Sequence, residues 1–372
     1  MRAQLNNPTG HSFSAEASSM LRRMDEAWNV IWRSFAVPQR VAIVCANHLA
    51  DRLAQNLVFD AKRPVELLGI FDDRSGRREN DAQFSISGRV DDLIAYAREN
   101  PLDHIILALP SSATSRISEL TARLRTLPVD IVILNEEAFA APPPAQPLRA
   151  SAGAVWLAGA HLSCLVERPM SGLGKAAKRA MDVALAATIL MLGAPFLLLI
   201  ALAIVLDSPG GVLFRQQRIG FNNRVFDVLK FRTMIRDAPD QEGVGGTLPG
   251  DPRITRAGRL LRRFSLDELP QLLNVLRGDM SLVGPRPQVV NMRVGDRRYA
   301  EAVTQYIERH KVKPGMTGWA QVNGSRGGIH TLDKAAWGVS MDLEYIQTWS
   351  IRLDLVIIWR TIGMLLSGRD AV

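Results

Sequence analysis

Two cysteines, Cys45 and Cys164, in 372 residues cannot build a disulfide framework or a four-cysteine zinc site. So few thiols suit a reducing compartment. Helix-turn-helix and zinc-ligand spacings are missing too, which removes the usual nucleic-acid-binding modules. No apolar core follows the first charged residues, so a secretory signal peptide is not expected. What remains is ordinary: 47% hydrophobic and 22% charged residues describe a globular chain. That composition excludes disorder, collagen and a simple coiled coil for most of the length.

Charge is unevenly spread. From Lys175 to the end, 27 Lys and Arg face 18 Asp and Glu; before it, 18 face 19. A basic half seeks an anion: nucleic acid, lipid headgroups or a phosphorylated substrate. Nucleic acid is the poorest of these, because the same half holds a 24-residue apolar run.

The chain divides by pattern. Residues 1–37 are polar at first, then carry Leu21, Met24, Trp28 and Ile31 at helical spacing over Ser14–Phe35. Residues 38–139 alternate strand and helix. RVAIVCA, ELLGIFDD, HIILALP and DIVILNE read as strands, separated by helical segments. That order predicts a parallel, doubly wound, Rossmann-like sheet. The first strand runs into CANHLADRL rather than Gly-x-Gly-x-x-Gly, so dinucleotide binding is not expected. Regulation, small-ligand sensing or dimerisation, with a homodimer as partner, suits such a module. Cys45 and His48 at the first turn read as a buried thiol and a surface imidazole. Residues 140–174 open with AAPPPAQP and read as a linker, with a short strand at AVWLAGAHL.

Residues 183–206 carry no charge and are long enough to reach through a bilayer. Pro195 sits mid-run, where it should break or bend a helix. Basic residues flank both sides: Lys175, Lys178 and Arg179 before, Arg215, Arg218 and Arg224 after. Basic flanks on both sides give a spanning helix no clear orientation. The pattern predicts a re-entrant hairpin with both ends cytoplasmic. Near the end, SIRLDLVIIWRTIGMLL mixes apolar residues with Arg352, Asp354 and Arg360, and four of the seven tryptophans lie between Trp319 and Trp359. Such a segment suits a lipid headgroup surface or an ordinary amphipathic core position.

Three clusters could carry chemistry. VLFRQQRIGFNNRVFDVLKFRTM (212–234) predicts a β-hairpin turning at Asn222-Asn223, studded with Arg215, Arg218, Lys230 and Arg232. RLLRRFSLDELPQLLNVLRGDMSLVGPRP (259–287) places Asp267 beside Glu268, flanked by Arg262, Arg263 and Gln271. Ser265-x-x-Glu268 alone is a capping box. The two acids also suit a carboxylate nucleophile beside a magnesium ligand, with arginines for phosphate oxygens. HKVKPGMTGWAQVNGSRG (310–327) is rich in Gly, Pro and Asn and reads as loop, with Arg326 available to an anion.

KRAMD (178–182), the proline-interrupted apolar segment, KFRTM (230–234), SLDELPQLLNVLRGDMSLVGPRP (265–287) and KPGMTGWAQVNG (313–324), in this order, resemble the bacterial sugar transferase family. Its members are monotopic polyprenyl-phosphate phosphoglycosyl transferases, and the resemblance covers residues 175–372. It implies a mostly helical, membrane-associated catalytic domain with a re-entrant helix, on the cytoplasmic face of a bacterial inner membrane. It also implies transfer of a sugar 1-phosphate from a UDP-sugar to undecaprenyl phosphate with release of UMP, as the first step of exopolysaccharide or capsule synthesis. By the resemblance Asp267 is the nucleophile, Glu268 with Asp267 holds Mg²⁺, and Pro285, Arg286 and Pro287 lie beneath the site. Lys230, Arg262, Gln271, Arg326 and Asp342 match substrate-binding positions. Lys178 and Arg179 match the polar start of the membrane helix and Pro195 its break, although Ala194 stands where the family often has serine. The front half resembles the Rossmann-like domain of long members, which carry transmembrane helices before it; none is visible here. The closing motifs look most like members using glucose 1-phosphate, with galactose next. A conventional glycosyltransferase, which releases UDP, typically has Asp-x-Asp, and none occurs. A non-enzymatic membrane scaffold would have no need of Asp267 and Glu268.

Overall fold

A computed structural model of the chain describes residues 38–59, 65–74, 84–139, 154–170, 172–235, 251–325 and 331–367. The helix expected over Ser14–Phe35 and the site residue Arg326 lie outside the described residues. The rest forms two compact units, one drawn from 1–117 and 130–165, the other from 118–129 and 166–372.

From residue 38 to 166, short β-branched runs become strands with helices between them: β1 (Gln39–Val44), α1 (His48–Phe59), β2 (Val65–Phe71), β3 (Ile86–Gly88), α2 (Val90–Glu99) and β4 (His104–Ala108), then α3 (Thr114–Leu124), most of which falls with the second unit, β5 (Asp130–Leu134), β6 (Ala154–Leu157) and β7 (Ala160–Val166). The sheet order is β3-β2-β1-β4-β5-β7-β6, and its first five strands are parallel. Val41, Ile43, Ile106 and Val132 are fully buried, as expected of strands covered on both faces. At the carboxyl end of β1, Asn47 accepts from the Ala50 amide at 3.0 Å and donates to the Ala108 carbonyl at 2.7 Å. One side chain thus starts α1 and ties β1 to β4 across the crevice where ligands enter such sheets. The segment read as linker contributes more than a connection: 154–166 folds into an antiparallel hairpin that extends the sheet. Leu157, Ala160 and Leu162 are buried there, which explains why this short alternating run orders after the proline-rich break.

In the second unit, α4 (Gly172–Asp207) is one continuous 36-residue helix with Pro195 inside it. It is long and apolar enough to cross a membrane, and 11% of its most apolar window is buried within the protein. The helix is anchored at both ends. At its start Lys178 Nζ donates to Asp354 at 2.7 Å, and Arg179 donates to the carbonyls of Val275 and Leu276 at 2.6 and 2.8 Å. Asp182 accepts from Ser281 Oγ at 2.8 Å. At its end Ile200 and Ile204 pack with Phe231 and Leu261, while Arg232 donates to the carbonyls of Ser208 and Pro209 at 2.7 and 2.5 Å. Between the anchors, Met191, Leu192 and Leu198 are more than two-thirds exposed.

Next come the hairpin strands β8 (Leu213–Ile219) and β9 (Val225–Phe231). They turn at Asn222 and Asn223, with φ of 55° and 60°; asparagine tolerates this left-handed conformation best after glycine. The chain continues through α5 (Arg256–Arg263), a 3₁₀ turn at Leu266–Glu268, α6 (Gln271–Arg277) and β10 (Ser281–Val283). A small ribbon, β11 (Arg293–Val294) and β12 (Arg297–Arg298), leads to α7 (Tyr299–Ala302). Then follow β13 (Gly315–Thr317), α8 (Trp319–Val322), α9 (Leu332–Thr348) and α10 (Ile351–Ser367). The stretch read as loop from 310 to 327 therefore includes a strand and a helical turn. β13 pairs in parallel with β10 so closely that a Cβ on Gly315 would lie 2.1 Å from the Gly284 nitrogen. Glycine serves here for close approach rather than flexibility.

On α10, Asp354 and Ile357 are fully buried, whereas Leu355 and Trp359 are 51% and 76% exposed. Asp354 gathers three donors: Lys178, the Tyr345 hydroxyl at 2.8 Å and Trp349 Nε1 at 3.3 Å. A buried ion pair contributes little beyond a well-packed apolar pair, but breaking one side strands a charge. Asp354→Asn should therefore lower unfolding free energy by about 3 kcal/mol. The double replacement Lys178→Met with Asp354→Leu should cost less than that single change. Denaturant titration of the detergent-held protein checks both.

Candidate active site

Asp267 and Glu268 sit on the 3₁₀ turn between α5 and α6. Ser265, just before it, has φ of 53° and makes no side-chain capping bond. The capping box that Ser265-x-x-Glu268 offered is not formed. Instead the Glu268 carboxylate turns to two cations. Oε1 accepts from Lys230 Nζ at 2.9 Å and from Arg286 at 2.6 Å, and Oε2 from Arg286 at 3.3 Å. Burial opposes ionisation of Glu268, but the charges and hydrogen bonds of Arg286 and Lys230 prevail and hold its pKa well below the usual carboxylate range.

Asp267 differs. It accepts no hydrogen bond among the described residues, and burial raises its pKa; Glu268 pushes the same way, against Lys230, Arg262 and Arg286. Two adjacent half-buried carboxylates are thus set apart by environment: one is neutralised by contact, the other accepts no hydrogen bond among the described residues. Such a carboxylate beside cations suits attack on phosphorus.

The cations are held in place by structure outside the dyad. Lys230 is near the end of β9. Arg286 lies between two prolines, which lack N–H groups, and the carbonyls of this segment are taken by four donors from three parts of the chain. Pro285 accepts from the Gly315 amide at 2.9 Å, Arg286 from Arg309 at 2.9 Å, Pro287 from Arg218 at 3.1 Å and Gln288 from the Ile219 amide at 2.9 Å. Burial and the nearby Arg286 charge bring Arg218 down to about 10. Arg262, on the last turn of α5, donates its Nε–H to Thr233 at 2.9 Å.

The remaining expected residues separate into groups. Gln271 is buried at the start of α6. Asp342, expected near substrate, is 3% exposed and pairs with Arg309 at 2.5 Å; its reach is toward the support of Arg286. Lys178 and Arg179 turn into the protein, as described for α4, and Pro195 is exposed on that helix. Three contributors were not singled out from sequence. Arg309 and Thr233 carry no local signal. Asn274, a lone amide among leucines on α6, does: fully buried, it bonds the Leu229 amide at 2.9 Å and the Asp227 carbonyl at 2.8 Å, fixing α6 to β9.

Among the described residues no group of three or more His, Cys, Asp or Glu could hold a metal. The Asp267–Glu268 pair nevertheless fits magnesium in kind, because that ion takes one or two carboxylates together with substrate phosphates and water.

Residues 173–368 match the sequence family described as bacterial sugar transferase, and residues 20–134 match one described as a CoA-binding domain. The chain is 41% identical over 338 residues to an undecaprenyl-phosphate glucose phosphotransferase of Komagataeibacter xylinus, covering 90% of this chain and 60% of that protein. It is 48% identical over 219 residues to a UDP-glucose:undecaprenyl-phosphate glucose-1-phosphate transferase of Caulobacter vibrioides, covering 57% and 80%. It is 40% identical over 194 residues to a UDP-N-acetylgalactosamine-undecaprenyl-phosphate N-acetylgalactosaminephosphotransferase of Aeromonas hydrophila, covering 52% and 44%. The chain thus spans three fifths of the length of the first of these relatives.

The depressed pKa of Glu268 has a direct consequence for stability. Its ion pairs contribute fully above the unfolded-state value of about 4.3, and the contribution is lost as pH falls toward the folded-state value. Glu268→Gln should unfold at lower temperature than wild type at pH 7, and the gap should narrow progressively below about pH 4. Thermal unfolding across that range measures it.

Proposed function

The chain belongs to the bacterial sugar transferase family, and we propose that residues 172–367 transfer a sugar 1-phosphate from a UDP-sugar to undecaprenyl phosphate, releasing UMP. The observation that carries this reading is the split dyad: a half-buried Asp267 that accepts no hydrogen bond among the described residues, beside a Glu268 neutralised by Lys230 and Arg286. Phosphoryl transfer requires positioning and charge neutralisation above all, and the site supplies both.

An Asp267 oxygen attacks the β-phosphorus of the UDP-sugar. The bond from that phosphorus to the bridging oxygen breaks, and UMP leaves with the electron pair. Asp267 then carries the sugar phosphate as an acyl phosphate. A phosphate oxygen of the polyprenyl carrier attacks the same phosphorus, the carboxylate leaves, and the lipid diphosphosugar forms. Arg262 and Arg286 offer planar forks to phosphate oxygens. Glu268, with Asp267, would hold Mg²⁺, which when bound adds positive charge at the diphosphate. Glucose is the sugar in the names of the K. xylinus and C. vibrioides relatives, and it is the donor sugar proposed here; the product would begin an exopolysaccharide.

We also propose that α4 enters the membrane from the cytoplasmic face and returns. As a straight rod, Arg179 and Ile204 would stand roughly 37 Å apart. Yet Arg179 binds the end of α6 while Ile204 packs in a cluster bordered by Leu269, just before α6, a helix of roughly 10 Å. A bend at Pro195 reconciles these contacts. The exposed face of α10, with Leu355 and Trp359, suits the headgroup layer beside it.

Purified protein in nanodiscs, given Mg²⁺ and UDP-glucose, should release UMP continuously only when undecaprenyl phosphate is present, and at most one UMP per enzyme without it. Asp267→Asn should reduce this at least a thousandfold while leaving the unfolding midpoint within a few degrees. Release of UDP instead, or near-normal turnover by the variant, would refute the assignment. Single cysteines at Leu173 and Gly211, in a chain lacking Cys45 and Cys164, should both be labelled from the cytoplasmic side alone. Labelling of one from each side would make α4 a spanning helix.

A further inference from the structure

Arg262 presents an unusual division of its donors. Its Nε–H is bound to Thr233 Oγ1 at 2.9 Å, and its two terminal amino groups have no protein partner among the described residues. Burial lowers the Arg262 pKa, and the nearby charge of Asp267 acts against that shift. Thr233 itself is 6% exposed, too buried to meet substrate.

Thr233 is held from three directions. Its carbonyl accepts from the Thr255 amide at 3.1 Å. The same carbonyl would lie 2.2 Å from a Cβ on Gly258, so α5 is packed directly against it, one turn before Arg262. Next to it in sequence, Arg232 is clamped to the carbonyls of Ser208 and Pro209, just past α4. Asp207, the last residue of α4, accepts from the Ala257 amide at 2.9 Å, closing the ring back to α5. The threonine hydroxyl is therefore a fixed point on a rigid frame.

We propose that Thr233 is a positioning residue for phosphate recognition. Its hydroxyl locks the Nε edge of Arg262, so that both terminal amino groups face a diphosphate bound beside Asp267. An unlocked arginine would lose rotamer freedom on binding and would sample orientations that miss the phosphate; a preorganised fork avoids that cost. This role rests on the transferase reading for its ligand, but the lock itself is a property of the fold.

The test is a double-mutant cycle on UDP affinity, read by calorimetry with Mg²⁺ and no lipid, so that turnover is not needed. Thr233→Val keeps the shape and removes the acceptor. It should weaken UDP binding about tenfold in the wild-type background. Arg262→Lys has no Nε–H, so adding Thr233→Val to it should change affinity less than about twofold. Thr233→Ser restores the acceptor and should restore affinity. Equal losses in both backgrounds, or no loss in either, would overturn the proposal. If the valine variant does not fold, Thr233→Ala in the same cycle measures the same coupling with the same two outcomes. UMP release by the wild-type protein is measured alongside. Coupling without lipid-dependent UMP would uphold the lock and reject the transferase reading, and UMP without coupling would do the reverse.

Discussion

A half-buried carboxylate between two cations organises the second unit. Glu268 meets Lys230 from β9 and Arg286 from the Pro-Arg-Pro segment, so three distant stretches of sequence must converge for any one of them to be satisfied. A charge in that position without partners would be costly. The surrounding structure serves that convergence. Asn274 fixes α6 to β9, and four separate donors hold the carbonyls around Arg286. Asp267 remains uncommitted because its neighbour has taken the nearest cationic contacts.

The apolar helix α4 is joined to this arrangement through its polar ends. Arg179 fills the carbonyls at the end of α6, and Arg232 fills those of Ser208 and Pro209, just past α4. Helix ends leave carbonyls without partners, and guanidinium groups complement the negative end of the dipole. The element that offers apolar surface to lipid is thereby fastened to the residues that flank the dyad. In the proposed reaction a water-soluble diphosphate and a lipid phosphate need a shared meeting place, and attachment of this kind would hold a site at the boundary between their phases.

The first unit follows a different logic. Its parallel strands are buried on both faces, and the crevice at their carboxyl ends is bridged by Asn47. The residue pattern anticipated this sheet because continuous apolar runs separated by amphipathic helices have few other solutions. At 154–162 it anticipated one short strand but not the hairpin or its place in the sheet, because the run is short, follows prolines and is ordered by pairing at the β5 edge.

Local pattern was sufficient for four of the five parallel strands of the first unit, the apolar middle of α4, the Asn222-Asn223 turn and the adjacency of Asp267 and Glu268. These depend on periodicity, turn chemistry and covalent neighbourhood, all of which a sequence carries directly. It could not say that Glu268 would abandon a capping box for Lys230 and Arg286, or that Asp342 would pair with Arg309 behind the site. Nor could it say that Thr233 would meet Arg262. Each of those contacts joins residues that lie between 18 and 38 positions apart. Their energy arises only once backbone packing has excluded water, so tertiary structure alone decided them.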